Sequence, residues 1–214
     1  MSLELLRTSL SILLQGLVTT LLLSIAAIVG STLIGLFAAV LRTFGPWGTD
    51  RIAKVYTELF RGTPVLITLM FIYFGVSYFG YAIDVFVAGV MGLSVYQGAY
   101  IAEVFRSGIE AVPKGQWEVA QILGLSRTQA FAFVVLPQTG RIVLPPLVGQ
   151  YLSLIKDTSI VSMIGMSELM HGGQAIVDRI GKPVEIYGLV AIIYFVVCFP
   201  LSQWVRHHDR RRLT

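Results

Sequence analysis

Long apolar stretches alternate with short charged ones along almost the whole chain. No Asp, Glu, Lys or Arg occurs in residues 8–41, 62–83, 85–102 or 186–205, and residues 128–155 contain only one such residue, an arginine. A helix needs about 20 mainly apolar residues to cross a bilayer, so five stretches are long enough. We therefore expect an all-α integral membrane protein with five transmembrane helices.

The turn-forming residues set the expected limits of these helices. No internal repeat and no second hydrophobic unit is visible, so residues 1–214 are expected to form a single transmembrane domain. The predicted helices cover residues 9–41, 51–78, 85–107, 126–155 and 184–205, with a loop at 108–125 and a polar outer region at 156–183.

Glycines and prolines are expected to interrupt three of the helices. The sequence Gly-Thr-Pro at 62–64 should break the second helix, and glycines at 89, 92 and 98 should interrupt the third. Prolines at 137, 145 and 146 should kink or break the fourth unless packed neighbours satisfy the freed carbonyl groups. Ser126 and Gln129 have the spacing of a capping box, which predicts the start of the fourth helix.

A stripe of small residues follows one side of the first helix. Ala27, Ser31, Gly35 and Ala39 recur every four residues, and small side chains let helix backbones approach closely in lipid. Two interpretations are open: packing within the chain, which we favour, or a seam with a second subunit.

Composition supports a membrane protein and excludes several kinds of site. Only 13% of the residues are charged, against about 25% in soluble domains. The single cysteine, Cys198, excludes a disulfide within the chain, and the three histidines have no acidic or cysteine partners at metal-ligand spacing. We interpret the net charge of +4 by the location of the basic residues rather than as a sign of nucleic-acid binding, and we expect the basic C-terminal tail to contact anionic lipid headgroups.

Basic residues concentrate on one side of the predicted spans. That side holds three Lys or Arg in loop 42–54, three in 103–127 and four in the C-terminal tail. The other side holds four, namely Arg7, Lys156, Arg179 and Lys182. Because cytoplasmic loops carry the excess of Lys and Arg, we expect an external N-terminus and a cytoplasmic C-terminus.

One amphipathic segment stands apart from the spans and should face the cytoplasm. Pro113 suits a first helical turn, and Gly124 can supply a left-handed residue after the last. Val119, Ile122 and Leu123 share one face of this short helix. Two turns are not stable alone in water, so the helix must rest on a partner surface.

The same segment resembles the cytoplasmic "EAA" loop of permease subunits in ATP-binding-cassette (ABC) importers. Glu118-Val119-Ala120 is followed at the family's intervals by Gly124, Val134, Leu136 and Pro137, with valines at 119 and 134 as mild departures from the pattern. The resemblance implies a type I importer fold and a coupling helix that docks on an ATPase subunit. The coupling residues that it implies are Pro113, Gly115, Trp117, Glu118, Val119, Ala120, Gly124, Leu136 and Pro137.

Three longer stretches are similar to the polar amino acid uptake branch of these permeases. They are AYIAEVFRSGIEAVPKGQWEVA (99–120), ELFRGTPVLITLMFIYFG (58–75) and SLIKDTSIVSMIG (153–165). The resemblance implies a bacterial cytoplasmic membrane location and an amino acid substrate. It also implies two ATPase subunits carrying ATP and magnesium, a second permease subunit, identical or related, and an extracytoplasmic binding protein.

Charged residues at the second helix are the first candidates for substrate contact. Charges within a span usually face a bundle interior or a cavity. Glu58 and Arg61 have the spacing of an ion pair on one helix face, and Gly62 and Thr63 lie at the break that follows. An interrupted helix can offer backbone groups to a substrate. The alternative is a purely structural ion pair at the cytoplasmic boundary.

A second candidate region lies at the outer end of the fourth helix. Lys156 and Asp157 offer opposite charges to a zwitterion, with hydroxyl groups from Thr158, Ser159 and Ser162 beside them. The alternative is that Asp157 or Thr158 caps the next short helix. Tyr73 and Gln97 are further candidates for the same cavity.

The chain carries no sign of its own catalytic chemistry. The Walker A pattern G-x4-G-K-[ST] is absent, so we expect no bound cofactor and no enzymatic activity in this subunit. An ABC importer of another small solute remains an alternative. A self-contained ion-coupled carrier is less favoured because the inverted repeats typical of carriers are not seen.

Overall fold

The computed structural model describes residues 3–46 and 48–210, with side chains described for 9–46 and 48–204. The basic residues Arg7, Arg206, Arg210, Arg211 and Arg212, used for the expected orientation, lie outside the described side chains. Within the described residues every regular element is helical. The elements are α1 (Leu3–Phe44), α2 (Thr49–Gly62), α3 (Val65–Tyr78), α4 (Val85–Glu110), α5 (Lys114–Ile122), α6 (Arg127–Ala130), a π-helical turn (Phe131–Val135), α7 (Leu136–Asp157), a 3₁₀ helix (Thr158–Ile164), α8 (Leu169–Ile180) and α9 (Pro183–Arg210).

Four described helical stretches are long and apolar enough to cross a membrane, and a bent pair can supply a fifth span. The four are Ser9–Phe44, Val85–Glu110, Arg127–Ile164 and Pro183–Trp204. The predicted second helix, 51–78, is in fact the pair α2 and α3, which meet at an angle of 108°. The bend lies at Thr63 and Pro64, both in extended backbone conformation, because proline disfavours helix in the residue before it.

The glycines of α4 do not interrupt it, contrary to the sequence-based expectation. The helix runs unbroken over Val85–Glu110, and three of its glycines provide close contacts instead. A Cβ atom at Gly98 would lie 2.8 Å from the Tyr56 hydroxyl and 2.9 Å from Ile34. These glycines let α1, α2 and α3 pack directly on the α4 backbone.

The small-residue stripe of α1 packs within the chain. Ala27, Ser31 and Ala39 are buried, and a Cβ atom at Gly35 would lie 2.6 Å from the Ile101 side chain of α4. The α1–α4 pair is the most extensive helix contact in the described structure. The favoured interpretation, intramolecular packing, is therefore confirmed.

The prolines of the fourth predicted helix do not end it. Helical structure continues from Arg127 through the π-helical turn to Asp157, with Pro145 and Pro146 inside α7. The capping box at its start is confirmed, because Ser126 and Gln129 exchange both hydrogen bonds. The irregularity appears one turn before Pro137, as an extra residue in the turn Phe131–Val135.

Residues 156–183, expected to form a polar outer region, contain a 3₁₀ helix and α8 with a buried apolar face. Leu169 and Ile176 of α8 are buried against Leu13 of α1 and Val190 of α9. The larger core cluster joins α1, α3, α4, the end of α7 and the 3₁₀ helix around Leu23, Leu69, Leu93, Leu154 and Val161. Two apolar clusters therefore hold the bundle together.

Candidate substrate cavity and coupling segment

A cavity of about 420 Å³ lies between the C-terminal half of α4 and the N-terminal half of α7, beside the last turn of α2. Its volume is at the lower end of the range for small-molecule sites. Its polar lining residues are Arg61, Tyr100, Glu103, Ser107 and Gln150.

Glu103 is the centre of an ion-pair cluster that joins three helices. Its carboxylate lies 3.0 Å from a guanidinium nitrogen of Arg42 on α1 and 3.8 Å from one of Arg61 on α2. It also pairs with Arg106, one turn further along α4. Arg106 in turn pairs with Glu110.

This cluster carries more positive than negative charge. Three guanidinium groups face two carboxylates, so one positive charge is not neutralised by the acids that pair within the cluster. Of the three arginines, Arg61 makes the longest contact with Glu103 and is the one that lines the cavity. Arg61 is therefore the arginine of this cluster at which an additional anion can bind.

Two tyrosines of α4, Tyr100 next to Arg61 and Tyr96 beyond it, extend the polar surface of the cavity. The guanidinium carbon of Arg61 lies 5.6 Å from the ring centroid of Tyr100, within the range of a cation–π contact. The hydroxyls of Tyr96 and Tyr100 are 3.1 Å apart. Asp157, half-buried at the end of α7, lies within electrostatic reach of Tyr96. Opposite charges thus flank a pair of tyrosines.

Gln97 lies at the same level and joins α4 to α7. Its side-chain amide donates to the backbone oxygen of Gln150 at 2.9 Å and to the side-chain oxygen of Gln150 at 2.7 Å. Gln97 is buried, so Gln150 is the member of the pair that reaches the cavity.

The other candidates of the second predicted helix lie elsewhere. Glu58 does not pair with Arg61, as its spacing allowed, but lies 3.7 Å from Lys54 on the exposed side of α2. Thr63 donates its hydroxyl proton to the Leu59 backbone oxygen, and Gly62 is the last residue of α2. Tyr73 packs against the larger core cluster. Only Arg61 of this set lines the cavity.

The polar residues after α7 are divided among different surroundings. Lys156 and Ser159 line a largely apolar cavity of about 550 Å³ beside α9, and Ser162 lines another of about 480 Å³ near α8. Thr158 is buried, and its hydroxyl donates to the Ile155 backbone oxygen. Asp157 precedes the 3₁₀ helix, but its side chain accepts no capping hydrogen bond. Asp157 therefore stands at the predicted N-cap position, but neither its side chain nor that of Thr158 caps the helix.

The coupling segment forms a two-and-a-half-turn helix with little support of its own. Pro113 stands immediately before α5, and Gly124 has a φ of +79° after its end. Ala120 is buried, whereas Ile122 and Leu123 are 84% and 73% exposed and Val119 is also exposed. Glu118 and Gly115 are exposed as well. The helix thus presents apolar side chains and one carboxylate outward.

Residues that follow the coupling segment anchor it to the bundle. The Trp117 ring stacks on Phe131 with centroids 6.4 Å apart. The Gln138 amide donates to the Gln116 side chain at 3.3 Å. Leu136 and Pro137 begin α7 and are both exposed.

A family profile for the binding-protein-dependent transport system inner membrane component matches residues 31–214. The chain belongs to this family. This permease is 39% identical over 202 residues to the glutamine transport system permease protein GlnP of Escherichia coli K12, covering 94% of the chain and 92% of the relative. It is 36% identical over 204 residues to the arginine ABC transporter permease protein ArtQ of Haemophilus influenzae, covering 90% and 91%.

Solved structures show the same architecture. The permease superimposes on the crystal structure of an amino acid ABC transporter with histidines with a TM-score of 0.90 and 34% identity, covering 99% of this chain and 100% of that chain. The MetNI methionine ABC transporter in an inward-facing conformation gives a TM-score of 0.76 at 21% identity, a likeness of fold alone. The fold is therefore the all-α fold of type I ABC importer permeases, as expected.

Sequence reasoning missed several residues around the permease cavity. Tyr96, Tyr100, Glu103 and Ser107 recur along α4 at intervals of three and four, so they share one face of the helix. That polar stripe was the available signal. Gln150, on the α7 side of the cavity, belongs to no such polar stripe. Its place at the cavity follows only from the packing of α7 on α4.

Proposed function

We propose that this chain is the membrane-spanning subunit of an ATP-driven importer of polar amino acids. The family assignment supports a binding-protein-dependent transporter, and the similar proteins are named for glutamine and arginine. The observation that carries the substrate class is the cavity lined by Arg61, Tyr100 and Gln150, with Asp157 beyond the tyrosine pair. Family membership also argues against a self-contained ion-coupled carrier.

In this proposal Arg61 binds the carboxylate of the substrate. A guanidinium group forms two parallel hydrogen bonds with a carboxylate, and the excess positive charge of the Glu103 cluster favours an additional anion. Because Glu103 keeps Arg42 and Arg106 as partners, Arg61 can turn to the substrate without leaving that acid unpaired.

Asp157 binds the positive end of the substrate, and Gln150 and the tyrosine hydroxyls bind its polar middle. Asp157 is half-buried and has no salt-bridge partner within 4 Å among the described residues, so a cation would offset the cost of its charge. Glu58, Gly62, Thr63, Tyr73, Thr158, Ser159 and Ser162 do not line the cavity, and in this proposal none of them binds the substrate. Lys156, beside α9, can contribute to the field around Asp157.

We further propose that α5 is the docking point for an ATPase subunit. Its exposed apolar residues, Val119, Ile122 and Leu123, have no covering group among the described residues, and Glu118 adds a charge that fixes orientation. Two ATPase subunits with bound ATP and magnesium, a second permease and an extracytoplasmic binding protein complete the transporter. The excess of basic residues supports a cytoplasmic position for α5 and the C-terminus and an external N-terminus.

The test is reconstitution of the permease with an ATPase and a binding protein in proteoliposomes. We expect ATP-dependent uptake of radiolabelled glutamine or arginine and no uptake when the ATPase is omitted. A second arm offers methionine and a sugar with their own binding proteins. Uptake of those solutes with no uptake of glutamine or arginine would overturn the substrate class while leaving the importer assignment intact.

A further inference from the structure

Three aromatic rings from three elements meet at the cytoplasmic end of the permease. The ring of Phe131, in the π-helical turn, lies 4.4 Å from that of Phe44 at an interplanar angle of 64°. It also lies 6.4 Å from the ring of Trp117 at an interplanar angle of 23°. Phe44 is the last residue of α1, and Trp117 lies in α5. Phe131 is therefore in contact with both the coupling helix and the first transmembrane helix.

The π-helical turn explains why Phe131 points there. The Leu136 backbone N–H donates to the Phe131 oxygen, five residues earlier, where an α-helix would use a spacing of four. Pro137 has no N–H to give to the oxygen of Phe133, and an extra residue in the turn accommodates that loss. The insertion rotates the side chains before it relative to those after it. Phe131 is half-buried, whereas Phe133 of the same turn is 72% exposed.

A hydrogen-bonded connection runs parallel to the rings. The Gln138 side-chain amide donates to the Val134 backbone oxygen at 2.8 Å and to the Gln116 side-chain oxygen at 3.3 Å. The main packing partners of α5 among the described elements are the π-helical turn and α6. A displacement of α5 therefore reaches the membrane bundle chiefly through this turn.

We propose that Phe131 is a positioning residue that transmits the displacement of α5 to α1 and α7. Packed rings cannot interpenetrate and have little free volume between them, so a shift of Trp117 must move Phe131. Phe131 in turn pushes on Phe44 and bends the π-helical turn, and π-helical turns are frequent at functional sites. This inference rests on the proposed docking of an ATPase on α5.

The test compares two phenylalanines of the same turn. Phe131→Leu and Phe133→Leu are introduced into the complete complex of permease, ATPase and binding protein in proteoliposomes, with Phe131→Tyr as the conservative variant. Three quantities are measured: ATPase retained on purification, ATP hydrolysed, and radiolabelled glutamine taken up. The ratio of glutamine uptake to ATP hydrolysis distinguishes a loss of transmission from a loss of stability. A permease that is only less stable loses uptake and hydrolysis in the same proportion, so its ratio does not change.

We expect Phe131→Leu to retain the ATPase at wild-type level while uptake per ATP falls about tenfold, the scale of couplings carried by single residues. Phe133→Leu and Phe131→Tyr should keep the wild-type ratio. An unchanged ratio in Phe131→Leu, or an equal fall in Phe133→Leu, would overturn the proposal.

Two further variants test the role of Phe131 if Phe131→Leu fails to assemble with the ATPase. Phe44→Leu and Trp117→Leu each remove one of the two ring contacts, and each should lower uptake per ATP. If both keep the wild-type ratio, Phe131 does not transmit. A wild-type complex that assembles but takes up no amino acid would instead contradict the proposed function.

Discussion

A guanidinium nitrogen of Arg61 lies 3.8 Å from a carboxylate oxygen of Glu103, across the space between α2 and α4. The same carboxylate is held more closely by Arg42 and Arg106. The pair therefore joins a residue that is firmly held, Glu103, to one that is only loosely held. That difference leaves Arg61 available to a second anion at the cavity.

Replacement of Arg61 should weaken binding of the substrate carboxylate. Because a hydrogen bond to a charged group contributes about 1.5–3 kcal/mol, we expect Arg61→Gln to lower glutamine affinity about ten- to a hundredfold. The measurement is equilibrium binding of radiolabelled glutamine to the purified complex without binding protein. Lys54→Gln, on the same helix but paired with Glu58, is the matched control.

The methyl ester of glutamine identifies the contacted group in the same assay. Wild-type permease should prefer glutamine to its ester, and Arg61→Gln should not distinguish them. A variant that still prefers the free carboxylate would show that another group binds it.

Removal of the Asp157 charge should affect the positive end of the substrate. Asp157→Asn keeps the size of the side chain but loses the charge, so we expect affinity for arginine to fall about tenfold, the loss of one charge-assisted contact. Asp178→Asn is the control, because Asp178 is an exposed carboxylate on α8 that accepts from Gln174. Equal arginine binding by the Asp157 and Asp178 variants would place the substrate cation elsewhere.

The left-handed turn after α5 should be necessary for docking of the ATPase. Gly124 has a φ of +79°, and an alanine there costs about 1–2 kcal/mol, so Gly124→Ala should shift the exposed face of α5. We expect less ATPase to co-purify with this variant. Gly181→Ala imposes the same kind of strain at a φ of +69°, far from α5, and should retain the ATPase fully.

The contact between α1 and the segment before α8 leaves no room for a side chain at Gly16. A Cβ atom there would lie 2.9 Å from the backbone carbonyl of Glu168 and from the Cα of Leu169. Overpacking of this kind costs about 1–3 kcal/mol, so Gly16→Ala should lower the Tm in detergent. Gly188→Ala, in α9 with no neighbour within 4 Å, should leave the Tm unchanged or raise it.

Glu168 should make the stability of the permease depend on pH. It is fully buried, accepts hydrogen bonds from Thr20, His171 and Tyr194, and lies outside the spans. Burial raises the pKa of this carboxyl group, although its hydrogen bonds oppose the shift. With a pKa raised above that of the unfolded chain, its contribution to stability is full at low pH and declines as pH rises through the folded pKa.

The comparison of wild type with Glu168→Gln isolates this effect, since all other groups titrate alike in both. The Tm advantage of the wild type should shrink from acidic to neutral pH. An advantage that grows with pH would mean that the hydrogen bonds outweigh burial and that the carboxylate is the favoured form.

The spans and the coupling segment could be predicted from the sequence because both depend on local properties. Apolar runs exceed the thickness of a bilayer, and the capping box at Ser126 and the left-handed Gly124 are short-range hydrogen-bonding and backbone preferences. The small stripe of α1 was interpreted correctly for the same reason: its four-residue spacing follows from helix geometry.

The partners of charged side chains could not be predicted in the same way. The three-residue spacing predicted an ion pair between Glu58 and Arg61, but Arg61 pairs with Glu103 on another helix. The adjacent residues Lys156 and Asp157 were expected to act together, and their side chains face different surroundings. Glycines of α4 were interpreted as breaks although they are points of close packing.

By itself, therefore, the sequence determined the membrane class, the helical segments and the family pattern of the cytoplasmic loop, since each depends on residues close together along the chain. Only the tertiary structure decided that Arg61, Tyr100 and Gln150 share a cavity and that Phe131 joins Trp117 to Phe44. These contacts connect residues far apart in sequence, and they depend on how α4 and α7 pack and on one extra residue in a π-helical turn.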